Sequence, residues 1–222
     1  MSGLVTLGVA GILFDMDGVL ISSIGSVNRS WRRWAQHYGI PGADTFQVPH
    51  GIRAIDIVAM LKPDLDPHEG LRVIEDIEMV DTDDLKVLPG ASALLSSLPP
   101  NRWAIVTSAT GRLARERLRV AGLPVPERMI SAEMVERGKP DPEPYRHGAV
   151  LIASPPDECL VVEDAPSGVG AGVAAGCRVL GVLGTHSEAE LRAAGAGWVV
   201  RSLEDVSART GPRGLTLSLN TL

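Results

Sequence analysis

Val9-Ala10-Gly11-Ile12-Leu13-Phe14-Asp15-Met16-Asp17-Gly18 is a short apolar run that stops on two acids and a glycine. A run without alternation reads as a strand buried on both faces, and the acids and glycine behind it read as a turn. Ala104-Ile105-Val106-Thr107, Leu160-Val161-Val162 and Val179-Leu180-Gly181-Val182-Leu183 have the same character. Such strands belong to parallel sheets, whose crossovers need helices between them. Helical patterns stand where they are needed. Pro89-Gly90 open one with Ala91, Leu94, Leu95 and Leu98 on a face, another runs from Arg112 to Val120 before Gly122, and a third covers Glu143 to Ile152. Ser187 with Glu190 three residues later has the spacing of a capping box, for a helix ending near Gly195. Strands alternating with helices from residue 86 onward predict a doubly wound α/β fold with a Rossmann-like parallel sheet.

Residues 24–85 read differently. Val27, Trp31, Trp34, Ala35 and Tyr38 recur at helical spacing, as do Ile55, Val58 and Leu61, and then Leu71, Ile74 and Ile77. Three helical stripes without a strand predict a helical cap over 21–85, inserted into an α/β core formed by 1–20 and 86–222. Thr210 to Leu222 reads as a weakly structured tail. The aromatic residues Trp31, Trp34 and Tyr38 read as core of this cap.

The composition narrows the function classes. The 222 residues carry a net charge of −6 without a Lys/Arg run, which argues against a nucleic-acid partner. No stretch is long and apolar enough for a membrane span, and the start lacks the marks of a signal peptide, so a cytoplasmic protein is expected. A monomer is expected by default. Cys159 and Cys177 lack metal spacing, and reduced, buried thiols are the expected state.

Ligands of open α/β sheets bind beyond the carboxyl ends of the strands. Here those ends carry Asp15 and Asp17, Thr107-Ser108, and Glu163-Asp164, while Lys139 stands in the loop before the third crossover helix. In extended chain, residues i and i+2 point the same way, so both aspartates can face one pocket. Neighbouring anions repel, and a hard divalent cation with oxygen ligands relieves them. Taken alone, the Asp-x-Asp-Gly turn could be solvated, Lys139 could be a loop lysine, and Ser108 could cap the helix that begins near Thr110. Their convergence on one sheet edge favours a phosphate site, because a −6 protein needs local positive charge to hold a phosphate dianion.

Asp15-Met16-Asp17-Gly18-Val19-Leu20, Val106-Thr107-Ser108, Gly138-Lys139-Pro140-Asp141-Pro142 and Val162-Glu163-Asp164-Ala165-Pro166-Ser167-Gly168 resemble, in order and spacing, the four motifs of the haloacid dehalogenase superfamily. Val48-Pro49-His50-Gly51-Ile52-Arg53 and Lys139-Pro140-Asp141-Pro142-Glu143-Pro144-Tyr145 are similar to the glycerol-phosphate and deoxyglucose-phosphate phosphatases within it. The resemblance implies a magnesium-dependent phosphomonoesterase for a small sugar or polyol phosphate. In it Asp15 is the nucleophile and Asp17 the acid and base. Ser108, the Ala109 turn N–H and Lys139 hold the phosphate. The metal set it implies is Asp15, the Asp17 carbonyl and Asp164, with Glu163 acting through water or behind a ligand. Many members carry an acid where this chain has Leu20-Ile21-Ser22-Ser23, although the polyol and deoxysugar phosphatases tend to lack it.

His50, Gly51 and Arg53 lie in a polar break between the first two cap helices, where they can reach a hydroxyl-rich leaving group or simply form an exposed turn. His37, His68, His147 and His186 show no metal spacing and read as surface residues. Three rivals remain at this stage. Gly170-Ala171-Gly172-Val173-Ala174-Ala175 fits a dinucleotide fingerprint but lies where a helix is expected. A phosphomutase of the β-phosphoglucomutase type would use the same core residues. A non-catalytic binding protein would have little need for Asp17.

Overall fold

The computed structural model describes residues 3–211 and 214–222. The chain opens with strands β1 (Gly3–Val9), β2 (Gly11–Phe14) and β3 (Ile21–Ser22). Helices α1 (Ile24–His37), α2 (Ala54–Leu61) and α3 (Pro67–Val80) follow, and then strand β4 (Lys86–Val87). From there helix and strand alternate: α4 (Ala91–Ser97), β5 (Trp103–Val106), α5 (Gly111–Ala121), β6 (Met129–Ile130), α6 (Glu143–Leu151), β7 (Cys159–Glu163). The alternation continues through α7 (Pro166–Ala174), β8 (Arg178–Val182), α8 (Glu188–Ala193) and β9 (Trp198–Val200), and the chain ends in β10 (Val206–Gly211) and β11 (Gly214–Thr221).

Six of these strands form a wholly parallel sheet in the order β6-β5-β2-β7-β8-β9. The chain winds from β2 outward to β6, then returns to β7 and winds the other way. The switch point therefore lies between β2 and β7, where open α/β sheets place their ligands. Ile12, Leu13 and Phe14 are fully buried there, as the unalternating sequence predicts. The Ser187 box forms with both of its hydrogen bonds. The glycines of the dinucleotide-like stretch fall inside α7, and a Cβ on Gly172 would lie 2.9 Å from Val179. Gly172 serves close helix–sheet packing, Gly170 faces open space, and neither forms a phosphate turn at a helix start.

Two expectations are corrected. Val9–Phe14 is not one strand: the chain bends at Ala10, Val9 closes β1 in a second sheet, and β2 starts at Gly11. Gly11 makes the passage possible, because a Cβ there would lie 2.8 Å from the Arg102 carbonyl. Residues 210–222 are not a loose tail. β11 pairs antiparallel with β1 and with β10, and its alternation buries Leu215, Leu217 and Leu219 against the main core. Among the described residues, 24–85 hold no strand, as expected, and a short antiparallel pair of Ile21–Ser22 with Lys86–Val87 flanks them.

Helices α1–α3 pack around Trp31, Trp34, Ile57, Val58 and Ile74. The Trp34 indole N–H donates to the Gly70 carbonyl at 3.0 Å, and Gly70 lets α3 approach α2, since a Cβ would stand 2.5 Å from Val58. Cys159 and Cys177 are free and buried. No helix among the described residues is long and apolar enough to cross a membrane.

Candidate active site

Asp15 leaves β2 at the switch point, its amide donating to the Val162 carbonyl at 3.0 Å. Its carboxylate meets Lys139, whose ammonium donates to Asp15 Oδ1 at 2.6 Å, Glu163 Oε1 at 2.7 Å and the Val106 carbonyl at 3.1 Å. All three ammonium protons are used, so this lysine is a fixed charge rather than a mobile one. Burial alone would push its pKa down, but the two carboxylates raise it and hold it cationic. Burial pushes the Asp15 carboxyl up to about 7, against the pull of Lys139.

Glu163 has no exposed surface. Its Oε1 accepts from Lys139 and from the Tyr145 hydroxyl at 2.7 Å, and its Oε2 accepts from the amides of Asp164 at 3.0 Å and Ala165 at 3.2 Å. Four donors saturate a carboxylate. Glu163 thereby orients Lys139 and anchors the loop that presents Asp164, and Gly168 leaves it room: a Cβ would lie 1.6 Å from Oε1.

Carboxylate oxygens of Asp15, Glu163 and Asp164 come within 4.8 Å of one another. Burial and the charges of Glu163 and Asp15 hold the Asp164 carboxyl well above the usual carboxylate range. Three buried carboxylates against one ammonium leave excess negative charge in a dry site. Hard oxygen donors with that charge fit a divalent cation of the magnesium class. Gly18 adjoins the cluster with φ +88°, and a Cβ there would overlap the Asp164 carboxylate.

Asp17 lines the same cavity, but its side chain stands apart from this cluster. Its Oδ1 accepts from the Ser23 hydroxyl at 2.5 Å, and both of its oxygens accept from Arg117 Nη1 at 3.0 Å. The other arm of Arg117 reaches Glu78 of α3 at 3.2 Å. Neither Arg117 nor Ser23 is singled out by the sequence. The signal for Arg117 is its place on the inward stripe of α5 among Leu113, Ala114 and Leu118, where a charge without a partner would be costly.

The remaining expected residues divide. His50 and Gly51 line the cavity, and their carbonyls accept from Ser167 at 3.2 Å and Ser108 at 2.7 Å. Ser108 thus spends its proton on the 48–53 loop, and the N-cap of α5 is Thr110. The Ala109 amide donates to Thr107 Oγ1 at 3.1 Å. Arg53 turns away from the cavity: it clamps Asp56 and donates to the carbonyls of Val135 at 2.9 Å and Glu136 at 3.1 Å. It ties the loop to the sheet layer instead of facing a ligand. His186, expected at the surface, is half-buried beside His50, with Nδ1 3.2 Å from the Asp164 carbonyl.

The cavity these residues enclose lies between the sheet's carboxyl edge and helices α1–α3. Val27, Trp31 and Leu71 give it an apolar wall, and Glu75, Glu78 and Arg117 a charged one.

A family model described as haloacid dehalogenase-like hydrolase matches residues 9–176. Hexitol phosphatase A of Escherichia coli is 41% identical over 209 residues, covering 92% of this chain and 96% of that protein. Glycerol-1-phosphate phosphohydrolase 2 of Saccharomyces cerevisiae is 33% identical over 213 residues, covering 90% and 85%. Among solved structures, a hydrolase from Pseudomonas syringae superposes with a TM-score of 0.78 at 26% identity, covering 87% of this chain and 93% of its own.

Proposed function

The chain belongs to the haloacid dehalogenase-like hydrolases, and from that premise we propose that it hydrolyses a small sugar or polyol monophosphate, with Asp15 as nucleophile and Asp17 as proton carrier. Two carboxylates of one cavity held in opposite environments carry this reading. Asp15 is buried against a fixed ammonium, whereas Asp17 faces the cavity with part of one oxygen free.

In the first step an Asp15 oxygen attacks phosphorus and the bond to the leaving oxygen breaks. The proton on Asp17 passes to that oxygen, so an alcohol departs rather than an alkoxide. In the second step Asp17, now a carboxylate, takes a proton from the water that attacks phosphorus, and the Asp15–phosphorus bond breaks to give inorganic phosphate and free Asp15. Lys139 offsets charge on Asp15 and on the phosphoryl oxygens, where phosphoryl transfer concentrates it. A magnesium ion held by Asp15 and Asp164 would supply further charge neutralisation at those oxygens. Ser108 and the Ala109 amide, which donate to the Gly51 carbonyl and to Thr107 Oγ1, would exchange those acceptors for phosphate oxygens. Helices α1–α3 act as the cap, which meets the core through the 48–53 loop and through Glu75 and Glu78 of α3.

The relatives' substrates, a hexitol phosphate and a glycerol phosphate by name, suit the cavity. Glu75 and Trp31 both line it, so that a polar and an apolar wall are available to a leaving group that carries hydroxyls on carbon.

The test is magnesium-dependent phosphate release from glycerol phosphates, hexitol and hexose phosphates, deoxyglucose 6-phosphate, phosphoglycolate and β-glucose 1-phosphate, with Asp15→Asn as the blank. Release concentrated on polyol or deoxysugar phosphates is expected. Equal release by Asp15→Asn, or isomerisation of β-glucose 1-phosphate without net release, would overturn the proposal.

A further inference from the structure

We propose that Arg117 is the positioning residue of Asp17, and that Glu78 seats Arg117 from the opposite side of the cavity. The inference rests on the reading of Asp17 as proton carrier. Arg117 lies on α5 with 5% of its surface exposed, at a point of the inward stripe where leucine would satisfy packing. Its guanidinium instead spans two carboxylates that belong to different parts of the chain. Nη1 bridges both oxygens of Asp17 at 3.0 Å, and Nη2 meets Glu78 Oε1 at 3.2 Å. One nitrogen thus serves Asp17 while the other is anchored on Glu78, and the rigid guanidinium between them fixes where Nη1 meets the Asp17 carboxylate, which a flexible ammonium without the second anchor does not.

The contacts also distinguish the two oxygens of Asp17. Oδ1 is taken by Ser23 and Arg117, whereas Oδ2 accepts from Arg117 alone. Oδ2 therefore keeps the lone pair that can hold a proton, and Arg117 determines where it points. Because Glu78 belongs to α3, that direction holds only while α3 sits over the sheet edge. Burial pushes the Glu78 carboxyl up to about 7, against the pull of Arg117. Arg117, although burial works against its charge, stays cationic through its two partners.

Protonation of the leaving oxygen matters for an alkyl phosphate and hardly at all for p-nitrophenyl phosphate, whose phenolate departs unaided. Single-turnover release of the leaving group from glycerol 1-phosphate and from p-nitrophenyl phosphate is measured for wild type, Asp17→Asn, Arg117→Lys and Glu78→Met, each with a thermal melt. Arg117→Lys is expected to slow release of glycerol roughly a hundredfold, at little cost in KM, while release of nitrophenol changes by less than about threefold. Glu78→Met removes the acceptor at similar volume and is expected to show the same selectivity at roughly tenfold.

A loss shared equally by the two substrates, or no loss in a folded Arg117→Lys, would make Arg117 a structural prop and overturn the inference. If Arg117→Lys does not fold, Glu78→Met decides by the same criterion. Asp17→Asn separates the premise from the inference. Without a selective loss there, the proton-carrier reading fails; with one, an unselective Arg117→Lys sinks the positioning role alone.

Discussion

Lys139 shows how much one side chain can carry. Its ammonium has exchanged water for Asp15, Glu163 and a carbonyl, so its removal leaves two buried carboxylates without their shared cation. Breaking a buried pair from one side costs about 3–5 kcal/mol. Lys139→Met should lose that much in urea unfolding at pH 8 and less at pH 5.5, where Asp15 takes up a proton at little cost. Gly18 is constrained by space and backbone together, with φ +88° and Asp164 where a side chain would begin. Gly18→Ala should fold with a modest loss of stability yet displace the Asp164 carboxylate. A weakening of magnesium affinity by about tenfold or more, read by calorimetry, is the expected sign.

At the scale of elements, β11 and α5 do work that their sequences only half announce. Leu217 is fully buried between β1 and β10, whereas Leu4 on β1 is 73% exposed. Leu217→Ala should cost about 2–5 kcal/mol, and Leu4→Ala less than about 0.5 kcal/mol. Equal effects in chemical denaturation would mean that the C-terminal strand is not part of the core. Helix α5 is held at its first turn by Thr110, whose hydroxyl accepts from the Leu113 amide and also meets Glu75 of α3. Thr110→Ala should cost about 1 kcal/mol and loosen α3, and the same helix carries Arg117 to Asp17.

For the whole molecule, the buried acids set the pH response. Burial pushes the Glu78 and Asp15 carboxyls up to about 7 in the folded protein, against roughly 4 in an unfolded chain. The native state therefore binds the extra protons. The stabilisation they bring is full below pH ~4 and is lost as pH rises through ~7. The melting temperature of metal-free protein should fall from pH 5.5 to 8, and Glu78→Gln should flatten that slope. Asp81 acts in the opposite direction, because Arg29 holds its carboxyl below the usual range, so its stabilisation is lost on acidification. Magnesium should raise the melting temperature more at pH 8 than at pH 5.5, since protons compete for Asp15 and Asp164. An equal rise at both would place the cation elsewhere.

The parallel sheet, its crossover helices and the three helical stripes are legible in the sequence because local periodicity encodes them. So are the strand ends that carry Asp15, Asp17, Ser108 and Asp164, since a polar cluster closing a buried strand stands out against its apolar run. The strands at the two termini are less legible. Leu215-Thr216-Leu217-Ser218-Leu219 alternates clearly, but an antiparallel strand needs partners, and those lie more than two hundred residues away in β1. The charge pairing around Asp17 and Arg53 belongs to tertiary structure. No spacing relates Arg117 to Asp17 and Glu78, or distinguishes an Arg53 that faces a ligand from one that clamps Asp56 and the carbonyls of residues 135 and 136. Periodicity records which face of an element is buried. It does not record which charges from distant elements meet there, and burial makes those meetings decisive.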